Sequence, residues 1–206
     1  MKSRVRAIAV GARDLARDAK NGLRLKSSFL AAKRRGDILK RIAGLEPLLE
    51  SAKGSTLLDL GCFDGLIAYE FFRSGARLAH GLDNDALHLA TASRIFAQVA
   101  IPSRFVHADL RKPDAVIRAL ADHGLPRYDI VLFLGVFQHI FRPMTVERRQ
   151  ELVAAIVDRV GSFLAVRMPE EVWKDFECLL PGHKLELVRA VPQIGYVGEL
   201  RIYRCK

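Results

Sequence analysis

The sequence predicts an α/β fold built on a mostly parallel sheet, and three observations predict it. Leu57-Leu58-Asp59-Leu60 is an apolar run that carries an acid near its end, followed by a tight turn bounded by Gly61 and Gly65. The helical pattern of Leu66 to Phe72 then makes this a strand–turn–helix unit. Gly81-Leu82-Asp83 reads as a second strand with a carboxylate at its carboxyl end, and apolar runs alternate with helical patterns from there onward. Such a pair of units is the first half of a nucleotide-binding sheet, whose ligand lies across the carboxyl ends of the strands.

Each element has its own local reason. Gly36 to Ser51 carries Ile38, Leu39, Ile42, Leu45, Leu48 and Leu49, the pattern of a helix that packs on the sheet edge and lids the ligand side. Pro47 is expected to kink it or to begin a separate last turn. Strand 1 is Thr56 to Leu60. The helix Leu66 to Ser74 ends at Gly75, a residue type suited to the position after a helix. Leu78 to Leu82 is strand 2, Asp85 to Val99 a helix, and Arg104 to His107 strand 3. Pro113 opens a helix that runs to about His123. Asp129 to Leu134 is the unbroken apolar run of a buried parallel strand. A helix over Val146 to Val160, a strand over Ser162 to Val166 and a short helix over Pro169 to Leu179 follow. Leu185 to Ala190 and Glu199 to Arg204 form a closing hairpin through Pro192 and Gly195.

The turn decides which nucleotide. A pyrophosphate-binding turn needs Gly-x-Gly-x-x-Gly, but Phe63 and Leu66 stand at its second and third glycine positions. No Lys-Ser/Thr follows, which excludes a triphosphate loop. What remains is a nucleoside without phosphates. The spacing of Asp59, Gly61 and Gly65 resembles the acid-x-Gly-x-x-x-Gly motif of the class I S-adenosylmethionine-dependent methyltransferases, over roughly residues 54 to 206. Phe63 replaces a middle glycine often seen in that family. The resemblance implies a seven-stranded Rossmann-like sheet in the order 3-2-1-4-5-7-6, with strand 7 antiparallel, and S-adenosylmethionine as cofactor.

By the same resemblance, Asp59 and the turn Gly61, Cys62, Phe63 and Gly65 hold the methionine end. Glycines allow close backbone approach, and helix N-terminal N–H groups suit a carboxylate. Asp83 has the residue type and place to accept from both ribose hydroxyls. Asn84 is either a second polar contact or, with Asp85, a helix cap. Asp109, after strand 3, suits the adenine amine, because a carboxylate can only accept, or else caps the Pro113 helix from a distance. Leu82 and Leu110 flank the base in this reading, although apolar residues beside strands are core by default.

Gly135-Val136-Phe137-Gln138-His139-Ile140 follows strand 4, on the side facing the transferable methyl. Gly135 brings carbonyls near the cationic sulfur, Phe137 lines the cofactor, and Gln138 or His139 meets the acceptor. His139 is either a general base for a hydroxyl acceptor or a structural ring that pins the loop. Arg142 and Arg167 are candidates to clamp an anionic acceptor. Glu170, Glu171 and Trp173 share the strand 5 edge, where the two acids equally suit a helix start. Catalytic zinc motifs and a Ser/His/Asp order are not visible, and neither is the Asn/Asp-Pro-Pro-Tyr/Phe signature of base amino-group methylation.

Composition bounds the remainder. Half of the 206 residues are apolar, and no apolar run approaches the ~20 residues that span a bilayer. Cys62, Cys178 and Cys205 are far apart and odd in number, which argues for a reducing, cytoplasmic compartment. The net charge of +10 is uneven: residues 1–41 hold thirteen Lys/Arg and three Asp, while 42–206 hold twenty of each sign. This divides the chain into a basic arm (1–41) and a neutral domain (42–206). Within the arm Val5, Ile8, Ala12, Leu15, Ala19 and Leu23 repeat at helical spacing among basic residues. The arm is then a solvated helix, a membrane-surface segment, an RNA-binding arm, or a dock for an acidic partner. Three function classes compete. They are methyl transfer to O or N of a small-molecule, carbohydrate or lipid-type acceptor, RNA methylation through the arm, and a non-catalytic cofactor-binding scaffold.

Overall fold

The structure is a computed structural model that describes residues 38–99, 102–122, 125–192 and 198–206. The expected arm helix, in residues 1–37, lies outside the described residues. In chain order the elements of the domain are α1 (Glu46–Glu50), β1 (Thr56–Leu60), α2 (Leu66–Arg73), β2 (Leu78–Asp83) and α3 (Ala86–Gln98). They continue with β3 (Ser103–His107), α4 (Pro113–Asp122), β4 (Tyr128–Leu134), α5 (Phe137–Ile140) and α6 (Val146–Val157). The last are β5 (Val160–Met168), a 3-10 turn (Glu170–Val172), α7 (Trp173–Glu177), β6 (Leu185–Val191) and β7 (Glu199–Cys205). The strands form one sheet in the order β3-β2-β1-β4-β5-β7-β6. β7 runs antiparallel to both β5 and β6, and the other pairings are parallel.

Local chemistry explains the borders. β1 is buried along its whole length, Asp59 included, as a central strand between two helical layers must be. Gly75 sits at φ +101 after α2, and its N–H and that of Ala76 return to the last turn of that helix. Asp85 caps α3, its side chain accepting from the N–H groups of Leu87 and His88. Thr56 and Asp129 clasp the starts of β1 and β4 with three hydrogen bonds of 2.8–2.9 Å, which sets the register of the two central strands.

Side chains alternate across the sheet. Leu58, Leu60, Val131, Phe133, Leu164 and Val166 join one core cluster with Val116 and Leu120 of α4, Leu152 and Ile156 of α6, and Phe176 of α7. Leu57 of β1, Phe71 of α2 and Ala92 and Phe96 of α3 are as deeply buried but stand outside that cluster. A buried polar pair ties β2 to β4, His80 Nδ1 lying 2.8 Å from the Tyr128 hydroxyl. Burial lowers the pKa of His80 to about 4, so the ring stays neutral in the fold. Tyr128→Phe is expected to cost about 1–3 kcal/mol, because it strips a hydrogen bond from a buried ring. Denaturant melts of the two proteins measure this, and an unchanged midpoint would remove the pair from the stabilising set.

Three expectations are corrected. The helix expected over 36–51 is broken: residues 38–42 are helical, and α1 begins anew at Glu46. Gly44, at φ +86, makes the break, and Pro47 sits in the first turn of α1, beginning the separate last turn that is one of its two expected roles. Gly44 packs against Leu200 of β7 and Val191 of β6. The helix expected to reach Val160 stops at Val157, because Val160 already pairs with Tyr128 in β5. After β4, residues read as open loop form the short helix α5. Among the described residues no helix is long and apolar enough to cross a membrane.

Candidate functional site

The turn after β1 is bound to the end of β2. Gly61 and Cys62 both donate backbone N–H groups to the Leu82 carbonyl, at 2.8 and 3.0 Å. Gly61 and Gly65 adopt φ +78 and +72, and a Cβ on Gly61 would overlap Val136 from the segment after β4. The glycines are therefore required by conformation and by close approach. Phe63 adopts φ +50, a left-handed conformation that costs a bulky residue about 1–2 kcal/mol. Its N–H donates to Asp83 Oδ2 at 2.8 Å, and Asp85 N–H donates to Asp83 Oδ1 at 2.9 Å. Two amides thus orient the Asp83 carboxylate, and each oxygen keeps lone-pair capacity for a further donor.

Asp59 is buried beneath this turn, and no described residue donates a hydrogen bond to its carboxylate. Burial first, and the neighbouring Asp83 second, push its pKa up to about 7. A buried acid without a donor, beside a second acid, is the electrostatic complement of a cation. The Cys62 thiol is pushed above its ordinary range by burial and then by Asp59 and Asp83. Its sulfur lies against the backbone of Gly81, so it fills space and is no nucleophile.

Asn84 is exposed and its carbonyl lies 3.0 Å from His107 Nε2, while the capping of α3 falls to Asp85. Asp109 follows β3 and is gripped by Arg111, whose guanidinium meets both carboxylate oxygens at 2.9 and 3.0 Å. That contact comes first among the causes that hold the Asp109 carboxyl below its ordinary range. Leu110 is buried beside it. Asp59, the glycine turn, Asp83 and Asp109 therefore all stand at the carboxyl ends of adjacent strands.

On the other side of β1, Gly135 adopts φ +70 and its N–H donates to the Arg167 carbonyl at 2.8 Å. Phe137 is fully buried, stacked on Phe141 and edge-on to Phe133 and Phe176. Its ring belongs to the core, where the sequence reading had it lining the cofactor. Among the described residues Gln138 Oε1 is buried with no hydrogen-bond partner, and its Nε2 lies 3.4 Å from Nε2 of the exposed His139. Arg142, Glu170 and Glu171 are exposed. Arg167 is buried and its guanidinium donates to the Ala43 carbonyl. Burial lowers its pKa to about 10, against the pull of Glu46. Trp173 is buried with the Arg201 guanidinium 4.2 Å from its ring centre.

Four residues around the site carry no motif. Val136 seats on Gly61, Arg111 grips Asp109, and Asp64 pairs with His88. Of these, Asp64 stands inside the glycine turn and Arg111 two residues from Asp109, so each had a charge next to a motif as its signal, and Val136 and His88 had none.

No protein-family model matches the chain, and no curated protein matches it. Solved structures do. Magnesium protoporphyrin IX methyltransferase (ChlM) from Synechocystis PCC 6803, crystallised with bound S-adenosylmethionine, is 14% identical at a TM-score of 0.62, covering 95% of this chain and 97% of that one. The PH0226 protein from Pyrococcus horikoshii OT3 is 17% identical at 0.59, covering 82% and 92%. The bifunctional kinase-methyltransferase WbdD is 18% identical at 0.54, over 84% of this chain and 39% of that one. With the strand order, the antiparallel seventh strand and the glycine turn after β1 in place, the chain has the fold of the class I S-adenosylmethionine-dependent methyltransferases.

Proposed function

We propose that this protein is an S-adenosylmethionine-dependent methyltransferase that alkylates an O or N atom of a small-molecule, carbohydrate or lipid-type acceptor. The observation that carries the reading is Asp59, a buried acid with no donor among the described residues, beneath a glycine turn, two strand ends away from Asp109 and next to the doubly oriented Asp83. That set of residues fits the cofactor. In this reading Asp59 faces the α-ammonium, the Gly61–Gly65 turn the methionine carboxylate, Asp83 the ribose hydroxyls and Asp109 the adenine amine. The cofactor, when bound, supplies an electrophilic methyl group on a sulfonium sulfur. Transfer is an in-line displacement, so the chain's main contribution is alignment. Calorimetry with S-adenosylmethionine and S-adenosylhomocysteine tests the reading directly. Binding of NAD with neither sulfur nucleoside bound would overturn it.

The pKa of Asp59 gives a second test. In the ligand-free fold the carboxyl holds its proton up to about pH 7, far above its ordinary value of 3.8. An ammonium ligand needs the ionised form, so cofactor affinity should rise about tenfold between pH 6 and pH 8. Stability of the ligand-free protein runs the opposite way. The folded state binds the extra proton, so stability falls as pH rises from about 4 through 7. Asp59→Asn should flatten both profiles and weaken binding above pH 7. An affinity profile unchanged by the substitution would take Asp59 out of the cation's site.

The basic arm bears on the acceptor. Residues 42–206 are formally neutral, and residues 1–35 carry eleven Lys/Arg against two Asp. The residues from Ile42 onward form a compact unit of their own. Deletion of 1–35 should therefore leave a folded domain that binds cofactor and has lost its attraction to polyanions or anionic membranes. An apolar stripe without base-stacking aromatics favours a membrane surface or an acidic partner over RNA. Vesicle flotation and RNA retention at two salt concentrations separate the alternatives, because either association should weaken steeply with salt. Retention of RNA and not of vesicles by the full chain would favour the RNA methyltransferase reading.

A further inference from the structure

His88 lies outside every role assigned above, yet it sits against the turn. Its Nδ1 is 2.6 Å from Asp64 Oδ1, and Asp64 is only 5% exposed. A carboxylate only accepts, so the imidazole N–H is the donor. The other nitrogen faces Asp85, with Nε2 3.7 Å from Oδ2. Held between two acids, the ring lies against the Phe63 ring, with centroids 3.5 Å apart at an interplanar angle of 33°. Phe63 is the one described non-glycine residue at positive φ, and its N–H is one of the two that orient Asp83. A strained residue of this kind persists only where its surroundings over-determine it. Here the backbone is held by Asp83 and the ring by His88.

We infer that His88, fixed by Asp64, is a positioning residue for the nucleoside half of the cofactor site. It acts through Phe63: the stacked rings hold the left-handed turn, which keeps the Phe63 N–H on Asp83 Oδ2 and that carboxylate aimed at a ribose. Glycine at position 63 would reach the same φ without a clamp, so the Asp64–His88 pair answers the need that phenylalanine creates. The inference rests on Asp83 being the ribose acceptor.

The test compares S-adenosylhomocysteine and adenosine binding by calorimetry in the wild type, His88→Ala, His88→Gln, Phe63→Gly and the Phe63→Gly/His88→Ala double variant, with melting curves for each. His88→Ala and His88→Gln should each weaken both ligands about five- to tenfold. In the Phe63→Gly background, His88→Ala should produce no further loss, because nothing remains for the ring to hold. The glutamine variant keeps a hydrogen-bonding group for Asp64, so it answers the question even where the alanine variant folds poorly. Affinities within twofold of wild type in both single variants would overturn the inference. So would a His88→Ala loss that persists in full beside Phe63→Gly, which would make His88 a support of α3 alone. A wild-type protein that binds neither ligand would sink the cofactor reading itself, an outcome distinct from either.

Discussion

Asp83→Ala is expected to weaken S-adenosylmethionine and S-adenosylhomocysteine alike, by roughly 10- to 100-fold. Loss of a charge-assisted contact to paired hydroxyls amounts to about 1.5–3 kcal/mol. The same substitution removes the acceptor of two backbone N–H groups, those of Phe63 and Asp85, so the melting temperature should fall as well. Asp83→Asn tests the charge at nearly constant shape. Its amide keeps an acceptor for one of the two N–H groups and turns an NH2 on the other, so affinity should drop and stability should fall with it. Unchanged calorimetric affinity in both variants would remove Asp83 from the site. Loss of stability without loss of affinity would reduce it to an anchor for the Phe63 turn.

His139→Ala is expected to lower turnover by about 100-fold or more while leaving cofactor affinity nearly intact, if the acceptor is a hydroxyl that must lose its proton. The exposed ring on α5, beside a Gln138 whose Oε1 is buried without a partner, is free to meet a substrate from solvent. A ring that only pinned the segment would behave differently, with thermal stability and cofactor binding falling together. One titration and one melting curve distinguish these. An amine acceptor that enters already deprotonated would make turnover insensitive to His139, so the result also reports on the acceptor class.

What the sequence by itself determined is local. The apolar runs of β1 and β4, the glycines at 61, 65 and 75 and the acids at 59, 83 and 109 each express a demand of a few neighbouring residues: pleat period, positive φ, or a carboxylate at a strand end. The strand order came from the family resemblance those motifs carry, and the sheet agrees with it. Only the tertiary structure decided what each side chain touches. Phe137, read as lining the cofactor, is sealed among Phe133, Phe141 and Phe176, because α5 turns it into the core. Arg167, read as part of an anion clamp, is buried and donates to Ala43 across 124 positions of chain. Gly44, where the helix breaks, lies against Leu200 and Val191, neither of which is near it in sequence. Asp64 and His88, 24 positions apart, come to 2.6 Å only where the turn meets α3. Periodicity and backbone conformation are properties of adjacent residues, and a sequence displays them. Contacts between elements depend on how the sheet stacks segments tens of residues apart, and that information exists only once the chain has folded.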